Sequence, residues 1–171
     1  GIGPGGVRHR LVNRRVEVKE TKGVASNGDV WLVSGGAAGV TSECMVEVAD
    51  SPNSTSPTFI LLGRTAFDPD LERLSSMSAP DLEGEKLRLK TTMESNSEDG
   101  KVTLREWDEA WQRVIRGVDI HSTLSRLRSR GAHAEYVQVD VTSAEMVRHM
   151  VRDVIARYGS ITGVVHGAGI E

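Results

Sequence analysis

One stretch decides the fold of this chain: Val30-Trp-Leu-Val-Ser-Gly-Gly-Ala-Ala-Gly-Val-Thr41. Its first four residues are apolar and predict a strand, and the residues after the glycines are compatible with a helix. Gly35 and Gly36 permit a tight turn, and Gly39 lets a pyrophosphate approach the backbone. The unpaired N–H groups at the start of the next helix favour an anion. This order of strand, glycine-rich turn and helix is typical of a dinucleotide-binding unit.

Composition limits the class of protein and of partner. A length of 171 residues is enough for one core and predicts a single domain. The net charge of −3 and the 4% aromatic content argue against nucleic acid as a partner. We expect no membrane contact, since the sequence shows no apolar run of about 18 residues and no signal peptide. The single cysteine excludes an intrachain disulfide, and a cytoplasmic location is the default expectation.

The first 28 residues differ from the rest because they are rich in glycine and in basic side chains. We interpret residues 1–28 as a linker or the tail of an upstream element rather than as a basic binding arm. The sequence begins with Gly1 rather than Met, so we expect a longer parent protein. Residues 29–171 are then the folded unit.

Three further apolar runs, over residues 58–62, 136–141 and 161–166, predict strands. Between them we predict a helix over 41–49 that presents Val40, Cys44 and Val48 to the core, which makes Cys44 a core thiol. Another helix follows the capping box Thr142-x-x-Glu145. Strands that alternate with helices indicate a doubly wound, parallel α/β sheet.

A polar stretch separates the second strand from the third, and we predict a helical insertion over about 66–117. Its first part, 66–101, has no periodic pattern and is interpreted as mobile. Helical spacing returns after the capping box Thr103-x-x-Glu106, with a second helical piece over 119–130. Trp107 and Trp111 are expected to pack in the core or to hold the insertion in place rather than to form a ligand cage.

Arg64 is the residue that bears on the choice of cofactor. An acidic residue after the second strand of such a unit holds the ribose 2′-hydroxyl of NAD, whereas an arginine accommodates the 2′-phosphate of NADP. Here the strand ends in Leu62-Gly63-Arg64, and no carboxylate follows before Asp68. A guanidinium group suits a phosphate. The alternative is a solvated surface arginine, but together with the glycine turn Arg64 favours NADP(H).

Two other strand ends carry candidate residues. Asp140, which precedes Val141, can accept a hydrogen bond from the adenine amino group, or it can simply begin the turn into the next helix. The last strand ends in His166-Gly-Ala-Gly169, whose small residues let the backbone approach a ribose. His166 has few partners in the sequence, which favours a structural role over catalysis. No histidine shows metal-ligand spacing, and we expect no metal.

These motifs together resemble a short-chain dehydrogenase/reductase. The resemblance rests on Ser34-Gly-Gly-Ala-Ala-Gly-Val-Thr41, Phe59-Ile-Leu-Leu-Gly-Arg64, residues 136–142 and Gly163-Val-Val-His-Gly-Ala-Gly169. The sequence is most similar to the ketoreductase domain of a modular polyketide synthase or a polyunsaturated fatty acid synthase, over residues 29–171. The family often has glycine where Thr41 stands, and the threonine methyl group is expected to push the helix outward, although its hydroxyl could donate to the pyrophosphate.

The resemblance implies an NADPH-dependent reduction of a β-ketoacyl group on an acyl carrier protein, with other domains of the same multienzyme as partners. In this family the nicotinamide supplies hydride and a tyrosine protonates the alkoxide. The family's Tyr-x-x-x-Lys is absent here, because Asp140 and Thr162 stand four residues after Tyr136 and Tyr158. We therefore expect no catalytic residue in this chain and place the family's serine, tyrosine and lysine beyond Glu171. The sheet is then incomplete.

Two alternatives to a reductase half remain at this point. One is a non-catalytic dinucleotide-binding or scaffolding domain of such a multienzyme, and the other is an unrelated enzyme of similar fold that uses a different acid. The sequence downstream in the parent gene distinguishes them. The predicted cofactor-binding residues are Ser34, Gly35, Gly36, Ala37, Ala38, Gly39, Val40, Thr41, Arg64, Asp140, Val141, His166, Gly167, Ala168 and Gly169.

Overall fold

A computed structural model describes residues 25–51, 54–97 and 100–169. The sequence interpretation of residues 1–28 therefore lies, apart from 25–28, outside the described residues. Ala25 is buried, and its carbonyl accepts a hydrogen bond from the Thr55 N–H at 3.3 Å. The last residues before the first strand are thus attached to the folded unit.

The centre of the fold is a parallel sheet of four strands in the order β3-β2-β1-β4. The strands are β1 (Val30–Ser34), β2 (Thr58–Gly63), β3 (His133–Gln138) and β4 (Gly163–His166). Ser34 pairs with Leu62 on one side and with His166 on the other, so the carboxyl ends of three strands lie level. The predicted parallel α/β fold is confirmed.

Helices cover both faces of this sheet. They are α1 (Gly39–Asp50), α2 (Ala79–Asn96), α3 (Leu104–Arg128) and α4 (Ala144–Tyr158), with a 3₁₀ helix over Pro69–Ser76. The core between the sheet and α1 and α3 contains Phe59, Leu61 and Leu124, and the core beneath α4 contains Ile60 and Val154. Among the described residues, no helix combines the length and the apolar character that crossing a bilayer requires.

The predicted buried face of α1 is wrong for two of its three residues, whereas Val48 is half-buried and packs against the core. Val40 is 81% exposed and Cys44 is also exposed, so Cys44 is not a core thiol. The buried residues are instead Ser42, Met45, Val46 and Ala49, which recur at helical spacing. Ser42 tolerates burial because its hydroxyl donates to the Gly39 carbonyl at 2.7 Å.

The first part of the insertion is also more regular than predicted. It forms the 3₁₀ helix and the 18-residue α2, although no side chain of α2 is buried. Trp107 holds α2 in place: its indole N–H donates to the Lys86 carbonyl at 3.4 Å, and the Lys86 and Lys90 ammonium groups lie 5.3 and 5.4 Å from its ring centre. Cation–π contacts thus help to hold α2, whose apolar residues Leu82, Leu89 and Met93 are only half-buried. The prediction that the tryptophans hold the insertion is confirmed.

The predicted division of the third helix into two pieces is wrong, because α3 runs without interruption for 25 residues. Its start is as predicted, with Thr103 and Glu106 forming a reciprocal capping box. Gly117 does not break it, since this glycine is buried where a Cβ would lie 2.3 Å from Leu71 Cδ1. The expected end of the insertion near residue 117 therefore falls within a helix.

Two boundaries near the third strand differ from the predictions. β3 begins at His133, three residues earlier than predicted, because Thr58 to Gly63 of β2 pair with His133 to Gln138. The residue that caps α4 is Ser143, not Thr142, since the Ser143 hydroxyl accepts from the Met146 N–H. The hydrogen bonds of Thr142 go to Asp140 instead.

The two edges of the sheet differ in how they are protected. On β3, the Glu135 carboxylate accepts hydrogen bonds from Arg157 and Tyr158, which places charge along that edge. The outer edge of β4 has no strand partner among the described residues, and Val164 in this uncharged strand is 72% exposed. Uncharged, β-branched edges promote pairing with another chain.

We expect the 171-residue polypeptide to form dimers or larger species through β4. Val164→Lys places a charge on this edge and should shift the population towards monomer. Leu87→Lys is the control, because Leu87 is 63% exposed on α2 and lies on no strand edge. Size-exclusion chromatography with light scattering measures the result, and a monomer at all concentrations of the unsubstituted polypeptide would contradict the prediction.

Candidate functional site

The predicted site residues lie at the carboxyl ends of the four parallel strands. The chain proceeds outward from β1 through β2 to β3 and then returns to the other side of β1 to form β4. In open α/β sheets a ligand binds outside the carboxyl ends at the point where the strand order reverses. Here that point lies between β1 and β4, where the glycine turn after Ser34 meets the loop after His166.

The glycine turn is held tightly to the body of the fold. The Gly35 N–H donates to the Leu62 carbonyl at 2.9 Å, and a Cβ on Gly36 would lie 2.5 Å from Val33 Cγ1. The Thr123 hydroxyl of α3 donates to the Ala37 carbonyl at 2.8 Å. Thr123 was not predicted, because nothing in the sequence distinguishes it from other helical threonines.

The start of α1 offers a suitable place for an anion. Ala38 is the N-cap residue, and it supplies no side-chain hydrogen bond to the first N–H groups of the helix. Gly39 has a φ of +65°, and a Cβ built on it would have no neighbour within 4 Å. Ala38, Gly39 and Val40 are all exposed. The helix start thus presents backbone donors on an open surface, as a phosphate group requires.

The loop after β4, residues 167–169, contacts the turn closely. The Gly167 N–H donates to the Ser34 carbonyl at 2.9 Å. A Cβ on Gly35 would lie 2.8 Å from the Ala168 nitrogen, so only glycine fits at position 35. The structure thus brings the two predicted glycine-rich segments together.

His166 is fixed by a hydrogen bond to the turn. Its Nδ1 lies 2.6 Å from the hydroxyl of the buried Ser34, and the Ala168 N–H reaches the same hydroxyl at 3.4 Å. These contacts link the end of β1 to the loop after β4. They give His166 the structural partner that the sequence did not reveal.

Arg64 lies at the end of β2 with an exposed side chain. Its carbonyl accepts a hydrogen bond from the Gln138 side chain at 3.2 Å, which fixes the backbone. Within the described part of the chain, its guanidinium enters no ion pair. The Tyr136 hydroxyl donates to the Thr65 carbonyl at 2.8 Å and further fixes this segment. An exposed guanidinium on a fixed backbone is suited to a phosphate ligand.

Asp140 begins the turn into α4, which is one of the two roles that the sequence left open. Its Oδ1 accepts from the Thr142 N–H at 2.9 Å and from the Thr142 hydroxyl at 2.7 Å. These two hydrogen bonds, with a smaller contribution from the charge of Arg64, hold the pKa of Asp140 below its ordinary value. Val141 is half-buried and packs against the core beneath α4.

Other features of the described residues do not form part of this site. A cleft of about 240 Å³ lies between β3 and α4, lined by residues that include Val139, His149 and Met150, away from the glycine turn. No cluster of three or more histidine, cysteine or acidic side chains suited to a metal occurs in residues 25–51, 54–97 and 100–169.

Comparison with known proteins gives consistent results. The chain is 28% identical to one of the subunits of a polyunsaturated fatty acid synthase from Thraustochytrium sp. over 174 residues, which cover 99% of this chain and 6% of that protein. It is 38% identical to the polyketide synthase PksN of Bacillus subtilis over 52 residues, which cover 30% of this chain and 1% of that protein. The chain thus spans a small fraction of both relatives.

A solved ketoreductase from the first module of phoslactomycin biosynthesis in Streptomyces sp. HK803 has the same fold, with a TM-score of 0.51 and 18% identity. The match covers 89% of this chain and 23% of that one. The KR domain family itself matches residues 30–171, which include the glycine turn, Arg64 and the loop after β4. The resemblance identified in the sequence is confirmed, and this chain belongs to the KR domain family.

Proposed function

We propose that this chain binds NADPH at the carboxyl edge of its sheet and supplies the cofactor-binding half of a ketoreductase. In this proposal the reductase converts a β-ketoacyl group on an acyl carrier protein to the β-hydroxyacyl form. Membership of the KR domain family supports the reaction class. The names of the two relatives, a polyunsaturated fatty acid synthase and a polyketide synthase, support a place within a multienzyme with other domains as partners.

The observation that carries the proposal is the contact between the glycine turn and the loop after β4. Gly35 and Gly167 occupy positions where a Cβ would meet the opposite segment, and Gly39 leaves open space beside the start of α1. This arrangement fits a dinucleotide, whose pyrophosphate needs backbone N–H groups and close approach. When bound, the nicotinamide supplies the hydride. The chain's own residues bind the phosphates and orient the cofactor.

Arg64 supports NADPH over NADH in this proposal. The exposed guanidinium at the end of β2 is free of protein ion pairs among the described residues and can pair with a 2′-phosphate. We also propose a cytoplasmic location. The exposed Cys44 thiol is compatible with that reducing compartment.

We expect Arg64→Ala to weaken NADPH binding roughly tenfold or more, since a charge-assisted hydrogen bond contributes about 1.5–3 kcal/mol. NADH binding should barely change, because NADH lacks the 2′-phosphate. Fluorescence titration of both cofactors measures the effect. Arg113→Ala, which removes an exposed arginine from the first half of α3, is the matched control. Equal losses for NADPH and NADH would exclude the 2′-phosphate role.

The non-catalytic alternative is tested in the full protein that contains residues 1–171. NADPH oxidation is followed with a β-ketoacyl group loaded on an acyl carrier protein. The proposal expects turnover, and Arg64→Ala should raise the KM for NADPH more than it lowers kcat. NADPH binding without turnover would instead favour a scaffolding domain.

A further inference from the structure

The side chain of Thr41 and the backbone of Gly167 occupy adjoining space. A Cβ built on Gly167 would lie 2.0 Å from Thr41 Oγ1, 2.8 Å from its Cγ2 and 2.9 Å from its Cβ. All three separations are shorter than real Cβ contacts, so a side chain at position 167 would clash with Thr41. Threonine is branched at Cβ, which restricts rotation of its side chain away from the clash. Threonine at position 41 therefore requires glycine at position 167.

The glycine turn prevents the loop after β4 from moving away from Thr41, because the loop already packs against Gly35. A Cβ on Gly35 would lie 2.8 Å from both the Gly167 carbonyl carbon and the Ala168 nitrogen. The Gly167 N–H is also bonded to the Ser34 carbonyl at 2.9 Å. The loop is thus held between the glycine turn and the first turn of α1. The absence of a side chain at Gly167 leaves room for the Thr41 side chain.

We propose that Thr41 and Gly167 form a coupled pair in which the threonine positions the loop over residues 167–169 by its shape. Such a helix can carry a glycine for close packing against a strand. Here position 41 holds threonine, and the residue without a side chain at this contact is Gly167. Thr41 is then a positioning residue for the cofactor, since the loop it contacts adjoins the phosphate-binding turn. This inference rests on the proposed function.

The competing role for Thr41 is direct donation of a hydrogen bond from its hydroxyl to the pyrophosphate. Its hydroxyl has no hydrogen-bond partner in the described ranges of the chain, so the two roles need an experiment. Thr41→Val keeps the branched shape and removes the hydroxyl, whereas Thr41→Gly removes both. A role based on shape predicts that Thr41→Gly is clearly more harmful than Thr41→Val.

The experiment is a double-mutant cycle in the full protein that contains residues 1–171, read by NADPH titration and by thermal melting. Gly167→Ala should weaken NADPH binding roughly tenfold and lower the melting temperature by about 2–6 °C, as overpacking does. Thr41→Gly should weaken binding by removing the contact. Thr41→Gly with Gly167→Ala should recover most of both losses, and Thr41→Val should bind NADPH severalfold more tightly than Thr41→Gly because it keeps the branched shape.

Gly84→Ala is the matched control, because a Cβ on this α2 glycine meets nothing within 4 Å. Additive losses in the double variant would overturn the pairing, and a loss in Thr41→Val equal to that in Thr41→Gly would assign the role to the hydroxyl. If Gly167→Ala fails to fold, the double variant and Thr41→Val still decide the question. If the unsubstituted protein binds no NADPH, the proposed function fails, while melting temperatures alone still show whether the two positions are coupled.

Discussion

We expect Gly39→Val to abolish NADPH binding and to affect folding much less. The φ of +65° at Gly39 strains any residue with a Cβ, at a cost of about 1–2 kcal/mol. The larger effect is on the ligand. A Cβ at this position meets no protein atom within 4 Å, so the valine side chain projects into the open space beside the start of α1. That is the space through which a pyrophosphate would approach the backbone.

Gly100→Val separates the strain from the obstruction. Gly100 has a φ of +67°, and a Cβ there also meets nothing within 4 Å, but it lies before α3 in the insertion and not at the carboxyl edge of the sheet. Both variants should lose similar stability in thermal melts. Only Gly39→Val should lose NADPH in titrations. If Gly39→Val binds NADPH as well as the unsubstituted chain, the turn over residues 34–41 is not the phosphate site.

The second large effect concerns turnover: we expect no ketoreductase activity from the 171-residue polypeptide alone. Neither of its two tyrosines has a lysine four residues later. The Tyr136 hydroxyl already donates to the Thr65 carbonyl, and burial raises the pKa of Tyr136. The Tyr158 hydroxyl donates to Glu135, and burial together with that carboxylate raises the pKa of Tyr158. Both phenol hydroxyls are therefore already engaged in hydrogen bonds within the protein, and their raised pKa values make them poor proton donors to a substrate.

The assay follows NADPH oxidation with a small β-ketone, beside an intact ketoreductase measured under the same conditions. NADPH titration of the same sample shows whether the cofactor site is filled, which separates missing chemistry from missing binding. The expected result is binding without turnover. Turnover comparable to that of the intact enzyme would contradict the assignment of this chain as a cofactor-binding half.

The two central strands, β1 and β2, were predictable because each is a short apolar run that is almost fully buried between the helix layers. Residues 58–62 contain four residues of β2 that are no more than 5% exposed. Strand limits were less certain, since the start of β3 depends on its register with β2 rather than on its own composition. The helix α1 was predicted, but its buried face was not, because that face includes Ser42, whose local hydrogen bond no apolar pattern reveals.

In the candidate site, too, some residues could be predicted from the sequence and others could not. Residues with an unusual composition, such as the glycines of the turn and the arginine after β2, could be found in the sequence. Contacts between distant segments could not be found in this way. They include the hydrogen bond from the Thr123 hydroxyl to the Ala37 carbonyl and the packing of Thr41 against Gly167. α2 escaped prediction for a similar reason, since it is held by the faces of tryptophans that follow it in sequence.

The continuity of α3 has a consequence for engineering this chain. Insertions usually begin and end in loops and can be excised there without harm to the core. Here a single helix, α3, belongs partly to the insertion and partly to the core; it is 25 residues or about 37 Å long. The first half of α3 carries Trp107, which contacts α2. Its second half supplies Leu124 to the core and the Thr123 hydroxyl, which donates a hydrogen bond to the Ala37 carbonyl of the glycine turn. A shortened variant must therefore rebuild a helix start with its own capping residues, because a cut at the sequence boundary would leave the second half without one.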